Sequence, residues 1–223
     1  MSKNRAAARD VPKSDRVYAV LRGRIRDTVL APGALLAKEA IAVELGVSRA
    51  PVSEALARLA EEGLVEIFPQ HGSFVAEIRE SDVREALFLR EALEVEAVRR
   101  CAGLMDQELC ALLESNLDAE SKALRARDLK QFYELDEALH ERILAAIGFA
   151  RVAKLLDAAR AALDRMRRLT LPKGERASAT LREHRWIVEA IRSGDPEFAG
   201  AAMRAHLNAV SAAIEEQLRG LSR

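Results

Sequence analysis

The sequence feature that most constrains the fold is a change of pattern near Arg79 to Ser81. Before this point, short helical patterns accompany two strand-like runs, LVEIF and SFVAEI. After it, long segments rich in Ala, Leu, Glu and Arg repeat their apolar residues with the spacing of amphipathic helices. We therefore expect a mostly α-helical protein, with a small mixed domain at residues 15–78 and a helical domain at residues 79–223.

The first domain has the element order of a winged helix-turn-helix. Its first helix is indicated by apolar residues that repeat every four positions: Val17, Leu21, Ile25 and Val29. A second helix is predicted at residues 38–45, Gly46 favours a tight turn, and Ser48 and Pro51 suit the N-cap and first turn of a third helix. The segment Pro69 to Gly72 favours a hairpin turn between the two strand-like runs. Helix, helix, turn, helix and hairpin in this order predict the winged fold.

The second domain is predicted to be an all-α bundle. Aromatic residues make up only 4% of the chain, and no strand pattern follows Ser81. Gly and Pro residues separate the helical patterns, which predict about six helices at residues 81–102, 106–127, 129–147, 150–169, 175–193 and 195–219.

Charge and hydropathy limit the partners and the compartment. The formal net charge is zero, but the first 26 residues hold an excess of six positive charges. We expect residues 1–14 to be a basic flexible tail whose Arg5, Arg9 and Lys13 add phosphate contacts. No apolar run approaches the roughly 18 residues of a membrane span, so we expect a cytoplasmic protein without membrane contact. Two cysteines, Cys101 and Cys110, are too few for a disulfide framework and are expected to be reduced.

The third helix is the candidate DNA-reading element. In a helix-turn-helix, the N-terminal end of this helix enters the major groove. Arg49 can bind a guanine edge or a phosphate, Ser48 and Ser53 can donate to phosphate or base, and Ala50 leaves the backbone room to approach. The wing tip at His71 and Gly72 is narrow enough to probe a minor groove. The alternative at this stage is a winged helix that makes only protein contacts.

The residues of this domain resemble a known family. They run APGALLAKEAIAVELGVSRAPVSEALARLAEEGLVEIFPQHGSFV, which is similar to the DNA-binding domain of GntR-type bacterial transcription regulators. The resemblance implies DNA contacts at Arg49, Gln70, His71 and Gly72. The family usually has arginine at the position of Ser53, and some members have a DNA-contacting arginine at that of Glu39. The operator sequence therefore cannot be transferred from relatives.

Three of the four histidines lie on apolar helix faces. Asp136 and His140 follow the apolar stripe of their helix, and His184 and His206 each stand among apolar residues of theirs. A buried carboxylate without a partner costs several kcal/mol or more, and a buried imidazole about 1–3 kcal/mol, unless such groups satisfy one another. A divalent ion would satisfy all four, and this donor set suits Zn²⁺, Ni²⁺ or a similar ion. Hydrogen-bonded core histidines are the alternative.

A second resemblance covers the rest of the chain. The motifs Asp136-x-x-x-His140, Glu183-His184 followed by Gly194-Asp195, and Met203-x-x-His206-Leu207 are similar to those of the FCD domain, the effector-binding domain of the FadR branch of the GntR superfamily. The resemblance implies six or seven helices and metal ligation by Asp136, His140, His184 and His206.

The FCD resemblance also implies an effector site. Arg90 matches a family arginine that faces the cavity and can bind a carboxylate in bidentate fashion. Its alternative is a surface partner of Glu94, four residues further along the helix. Small organic acids are the effectors that such a cavity implies.

Together the two resemblances predict a ligand-responsive transcription regulator. We expect a repressor that binds an operator in double-stranded DNA as a homodimer, with a divalent metal and a small organic acid in its helical domain. A metal-dependent enzyme that activates water at the His₃Asp site is one alternative. A metal sensor without an organic ligand is another.

Overall fold

The structure, a computed structural model, describes residues 11–104, 106–170 and 176–221. The chain divides between Ile78 and Arg79 into two compact units. The described elements are mostly helical, and the strands named among them form one two-stranded antiparallel sheet in the first unit. The predicted fold class, a winged helix-turn-helix followed by an all-α domain, is confirmed.

The first unit contains the predicted helices, with one correction. Helix α1 spans Lys13–Arg26, α2 spans Lys38–Leu45 and α3 spans Arg49–Glu61. The prediction that Val29 extends α1 is wrong, because the helix ends at Arg26, Thr28 has φ of 56°, and Val29 is 71% exposed. The last two residues of the predicted tail, Lys13 and Ser14, belong to α1, whereas Arg5 and Arg9 lie outside the described residues.

The wing is a hairpin with an additional backbone partner. Strand β1, Val65–Phe68, pairs antiparallel with β2, Gly72–Val75, in a register that places Phe68 opposite Gly72. Leu35 forms a further antiparallel bridge to Phe74, a partner that the sequence analysis did not predict. Close to this bridge, the backbone N–H groups of Gly33 and Leu36 donate hydrogen bonds to the β2 carbonyls of Val75 and Ser73, at 2.9 and 2.7 Å. The wing is thereby held to the segment between α1 and α2.

The second unit consists, in its described residues, of six helices whose ends lie within two residues of the prediction. Asp106 and Asp128 cap α5 and α6, since their carboxylates accept hydrogen bonds from the backbone N–H groups three residues later. The helices are α4 Glu80–Ala102, α5 Gln107–Arg125, α6 Leu129–Ala146, α7 Ala150–Thr170, α8 Ala177–Arg192 and α9 Pro196–Leu221.

Helix α4 packs against α6, α7, α8 and α9, and α5 packs against α6 and α8. The core between them is apolar, with fully buried side chains such as Phe132, Leu139, Ile143 and Ile187. The apolar faces of α6, α8 and α9 carry histidines into this interior. None of the described helices is both long enough and apolar enough to cross a membrane.

Candidate functional site

Three histidines from three helices meet inside the second unit. His140 comes from α6, His184 from α8 and His206 from α9, and their exposed fractions are 2%, 0% and 1%. One ring nitrogen of each lies within 4.8 Å of those of the other two. The ring centroids are 4.9 to 5.4 Å apart. The predicted convergence of these three residues is present in the structure.

Each of these imidazoles has its own buried or half-buried glutamate. The Nδ1 atoms of His184 and His206 lie 2.9 Å from Glu120 Oε2 and 2.8 Å from Glu183 Oε2. His140 Nδ1 lies 2.7 Å from Glu94 Oε2, in an alignment poorer than a good hydrogen bond. The same nitrogen of each ring is therefore directed at a carboxylate, which leaves the three Nε2 atoms to face other partners.

The Nε2 atoms of two of the three histidines are the unsatisfied side of the cluster. Those of His140 and His184 are buried and have no well-formed hydrogen bond within the part of the chain that the structure describes. Asp136, the fourth predicted ligand, places Oδ1 3.3 Å from His184 Nε2 but lies outside the group defined by the three imidazoles. A metal-bound histidine typically has this arrangement, with one ring nitrogen held by a carboxylate and the other free for the ion.

The imidazoles of the cluster differ in their pKa values. Burial lowers the pKa of His140 to about 3, because the opposing effect of Glu94 is smaller. Burial alone would also lower the pKa of His184, but the carboxylates of Asp136 and Glu120 outweigh it and raise this pKa to about 9. Without an ion, His184 is thus the imidazole of the two that holds a proton at neutral pH.

Arg90 lies in the interior and not on the surface. It is 8% exposed, its Nε lies 2.9 Å from Glu94 Oε1, and its Nη2 lies 3.3 Å from Glu94 Oε2. The surface alternative for Arg90 is therefore wrong, although the predicted pairing with Glu94 is present. Arg160 from α7 donates to the same carboxylate at 3.0 Å. Burial alone would raise the pKa of the Glu94 carboxyl, but Arg90 and Arg160 hold it well below its ordinary value.

A cavity of about 40 Å³ lies beside the histidines. Arg90, Asp136, His140, Arg160 and His206 form part of its wall, so the two guanidinium groups and two of the three imidazoles line the same space. Apolar residues of α7 and α9 also line this cavity: Leu163, Val210, Ala213 and Ile214. Cavities with an apolar wall and a few convergent polar groups are the usual sites for small ligands.

Four functional candidates were missed by the sequence analysis: Glu94, Glu120, Glu183 and Arg160. The burial of Glu120 could have been predicted from the sequence, because it follows Leu113 and Leu117 on the apolar face of α5. Glu183 precedes His184 directly, but its side chain reaches His206 on another helix. Sequence spacing within a helix does not reveal such pairings between helices.

The candidate DNA-reading residues of the first unit are mostly exposed. Arg49 and Ala50 begin α3 and are exposed, whereas Ser53 is half-buried. Ser48 occupies the predicted N-cap position of α3, and its hydroxyl makes no capping hydrogen bond. At the wing tip, Gln70, His71 and Gly72 are exposed, and Gln70 has φ of 64°.

Comparison with known proteins assigns the chain to a family. The model of the bacterial regulatory proteins of the gntR family matches residues 13–75, and the FCD domain model matches residues 85–209. The chain belongs to the GntR family of bacterial transcription regulators. An HTH-type transcriptional regulator in an unstable DNA locus of Streptomyces ambofaciens is 39% identical over 199 residues, 89% of this chain and 84% of that protein. The HTH-type transcriptional repressor RspR of Escherichia coli K12 is 33% identical over 206 residues, 92% and 90% of the two chains.

Solved structures of GntR regulators share the fold. Escherichia coli McbR/YncC superposes with a TM-score of 0.83 at 19% identity, covering 94% of this chain and 100% of that one. The metal-free FCD domain of TM0439 gives a TM-score of 0.54 at 25% identity, covering 65% of this chain and 99% of that one. This GntR regulator is a DNA-binding protein and not the metal-dependent enzyme that was considered as an alternative.

Proposed function

We propose that this GntR regulator is a repressor whose FCD domain binds a divalent metal ion and, beside it, a small organic acid that controls DNA binding. The observation that carries the proposal is the cluster of His140, His184 and His206, in which each Nδ1 is directed at a glutamate. The ligands are the three Nε2 atoms together with Asp136, whose carboxylate already contacts His184.

The free-energy cost of burying imidazoles supports a metal-binding role for this cluster over a purely structural one. Each buried imidazole with an unpaired nitrogen destabilises the fold by about 1–3 kcal/mol, and a core can avoid this cost with apolar residues. Imidazole and carboxylate donors suit Zn²⁺ or Ni²⁺. When bound, such an ion acts as a Lewis acid that attracts an oxygen ligand. The surrounding carboxylates of Glu94, Glu120 and Glu183 orient the rings.

The cavity supports an organic acid as the effector. Arg90 and Arg160 present guanidinium groups to the same space as the imidazoles, and guanidinium groups bind carboxylates with directional hydrogen bonds. The apolar wall fits the carbon skeleton of a small ligand. A sensor that responds to metal alone would have no use for this combination, so we favour the organic-acid regulator over the pure metal sensor.

Operator binding is proposed to use the start of α3 and the wing tip. The residues are Ser48, Arg49, Ala50, Ser53, Gln70, His71 and Gly72. All of these except Ser53 are exposed, and they lie at the two places where a winged helix-turn-helix contacts the major and minor grooves. Arg49→Ala is expected to abolish specific binding in a gel-shift titration at fixed salt.

The regulator is proposed to act as a homodimer, because helix-turn-helix proteins read two half-sites with two-fold symmetry. Phe88 on α4 supports a contact surface, since it is 70% exposed and lines two grooves of about 210 and 350 Å³. Arginine and glutamate side chains both line these grooves: Arg84, Arg90, Arg99, Arg204, Glu91, Glu96 and Glu215. The presence of both charges allows the surface to pair with a second copy of itself.

The decisive experiment combines elemental analysis with thermal shifts. Wild type and His71→Ala, in which an exposed wing histidine is removed, are expected to carry one ion per chain and to be stabilised by one member of a panel of organic acids. His184→Ala is expected to lose both the ion and the stabilisation. Equal metal content in all three proteins would show that the buried histidines are structural. Stabilisation by metal but by no acid would favour the metal sensor.

A further inference from the structure

An acidic side chain of α2 lies beside the first residue of α3, the helix proposed to read DNA. Glu39 lies in the first turn of α2, and its Oε1 is 3.1 Å from Nη1 of Arg49, the first residue of α3. The two side chains are 61% and 73% exposed. An exposed ion pair of this kind adds little to stability, so the stability of the domain does not explain the carboxylate.

A carboxylate at this position also weakens electrostatic binding to the phosphates of DNA. Arginine contacts to phosphate release counterions and supply most non-specific affinity, whereas a negative charge beside the arginine is repelled by the same phosphates. Glu44, further along α2, shows the contrast, because its partner is Arg24 of α1 and not a residue of α3. The charge of Glu44 is therefore paired with α1, whereas that of Glu39 lies beside the first residue of α3.

We propose that Glu39 is a positioning residue that holds Arg49 for base readout. By pairing with Nη1 at 3.1 Å, it holds one side of the guanidinium and leaves the remaining N–H groups for the O6 and N7 acceptors of a guanine. Its charge also weakens binding in which Arg49 contacts only phosphate. Glu39 thus raises the ratio of specific to non-specific affinity. This inference rests on the assignment of Arg49 to the DNA interface, which Arg49→Ala tests separately.

The test uses the full-length protein and two duplexes. One is the sequence that wild type enriches from a randomised duplex library, and the other is a scrambled version of it. Fluorescence anisotropy gives the affinity for both at several salt concentrations, for wild type, Glu39→Gln and the matched control Glu44→Gln. Thermal unfolding checks that the variants fold.

Glu39→Gln is expected to bind the scrambled duplex more tightly and to lower the affinity ratio by about tenfold or more, the discrimination of one bidentate base contact. Its plot of log affinity against log salt is expected to steepen by up to about 0.9, which corresponds to one additional phosphate contact. Glu44→Gln is expected to leave the ratio unchanged. An unchanged ratio in Glu39→Gln overturns the proposal, and so does an equal fall in Glu44→Gln, which would indicate a general effect of charge.

A double variant separates positioning from direct readout. In the Arg49→Ala background, Glu39→Gln is expected to have no further effect on the affinity ratio, because there is no guanidinium left to hold. If it still lowers the ratio, Glu39 contacts a base itself, and the positioning role is wrong. If Arg49→Ala alone binds the selected duplex as wild type does, the interface assignment fails instead.

Discussion

His206 Nδ1 lies 2.8 Å from Oε2 of Glu183, on a helix neighbouring its own. The other oxygen contacts of Glu183 are to Arg176, whose Nη2 lies 2.9 and 3.2 Å from the two carboxylate oxygens. Arg176 is also part of the cavity wall. The glutamate therefore connects an imidazole of the candidate metal centre to a cation at the candidate effector site.

Glu183→Gln is expected to weaken metal binding without removing a proposed ligand. Loss of the carboxylate leaves His206 less well oriented and less basic, and changes of this kind typically reduce metal affinity about 10–100-fold. Competition with a chromophoric chelator measures the effect. Glu189→Gln, on the same helix at a side chain that is 66% exposed, is the control and is expected to bind metal as wild type does. Equal affinities in both variants would contradict the role of Glu183.

Metal binding is expected to release a proton from His184. In the metal-free protein, the pKa of this imidazole is about 9, because Asp136 and Glu120 outweigh the effect of burial. A metal ligand must be neutral, so at neutral pH the ion displaces about one proton, and affinity increases as the pH rises towards 9. Calorimetry in buffers with different ionisation enthalpies measures this release. A binding enthalpy that is independent of the buffer would contradict the prediction.

Arg160→Gln is expected to impair effector binding while the metal remains. The guanidinium is 5% exposed, faces the cavity, and has an Nε with no hydrogen-bond partner among the described residues. Loss of a charged hydrogen bond to a carboxylate costs about 1.5–3 kcal/mol, or about 10–100-fold in affinity. Thermal shifts with the acid that stabilises wild type provide the readout. The control is Arg151→Gln, an exposed position on the same helix, and an equal loss in both variants would argue against a specific contact.

Phe88→Glu is expected to convert the proposed homodimer into monomers. Placing a carboxylate at this exposed aromatic between two grooves would bring one negative charge from each copy into the proposed two-fold contact. Sedimentation equilibrium measures the mass. Leu112→Glu, at a position on α5 that is 44% exposed, should remain dimeric. A wild-type mass for Phe88→Glu would place the dimer contact on another surface.

The helices and the location of the histidines could be predicted from sequence because both depend on local periodicity. Apolar spacing gave the helix ends of the second unit to within two residues, and the same spacing placed His140, His184 and His206 on buried faces. Periodicity misled at Val29, where the four-residue step continues but the backbone at Thr28 leaves the helix.

The partners of the histidines could not be predicted in the same way. Glu94, Glu120 and Glu183 reach imidazoles on other helices, so their roles depend on how the helices pack. The bridge from Leu35 to Phe74 also depends on the approach of two segments that are distant in sequence. Arg160 had no spacing signal, because it pairs with Glu94 across two helices.

Glu94 contacts residues of both the candidate metal centre and the candidate effector site. One carboxylate contacts His140, Arg90 and Arg160, so the proposed ion and the proposed acid would depend on the same negative charge. Reciprocal linkage requires that two coupled ligands alter the affinity of each other by the same factor. Under the proposed function, a dissociation constant for the acid would be defined only together with the degree of metal saturation at which it was obtained, and protein stripped by a chelator would be a different receptor from the loaded form.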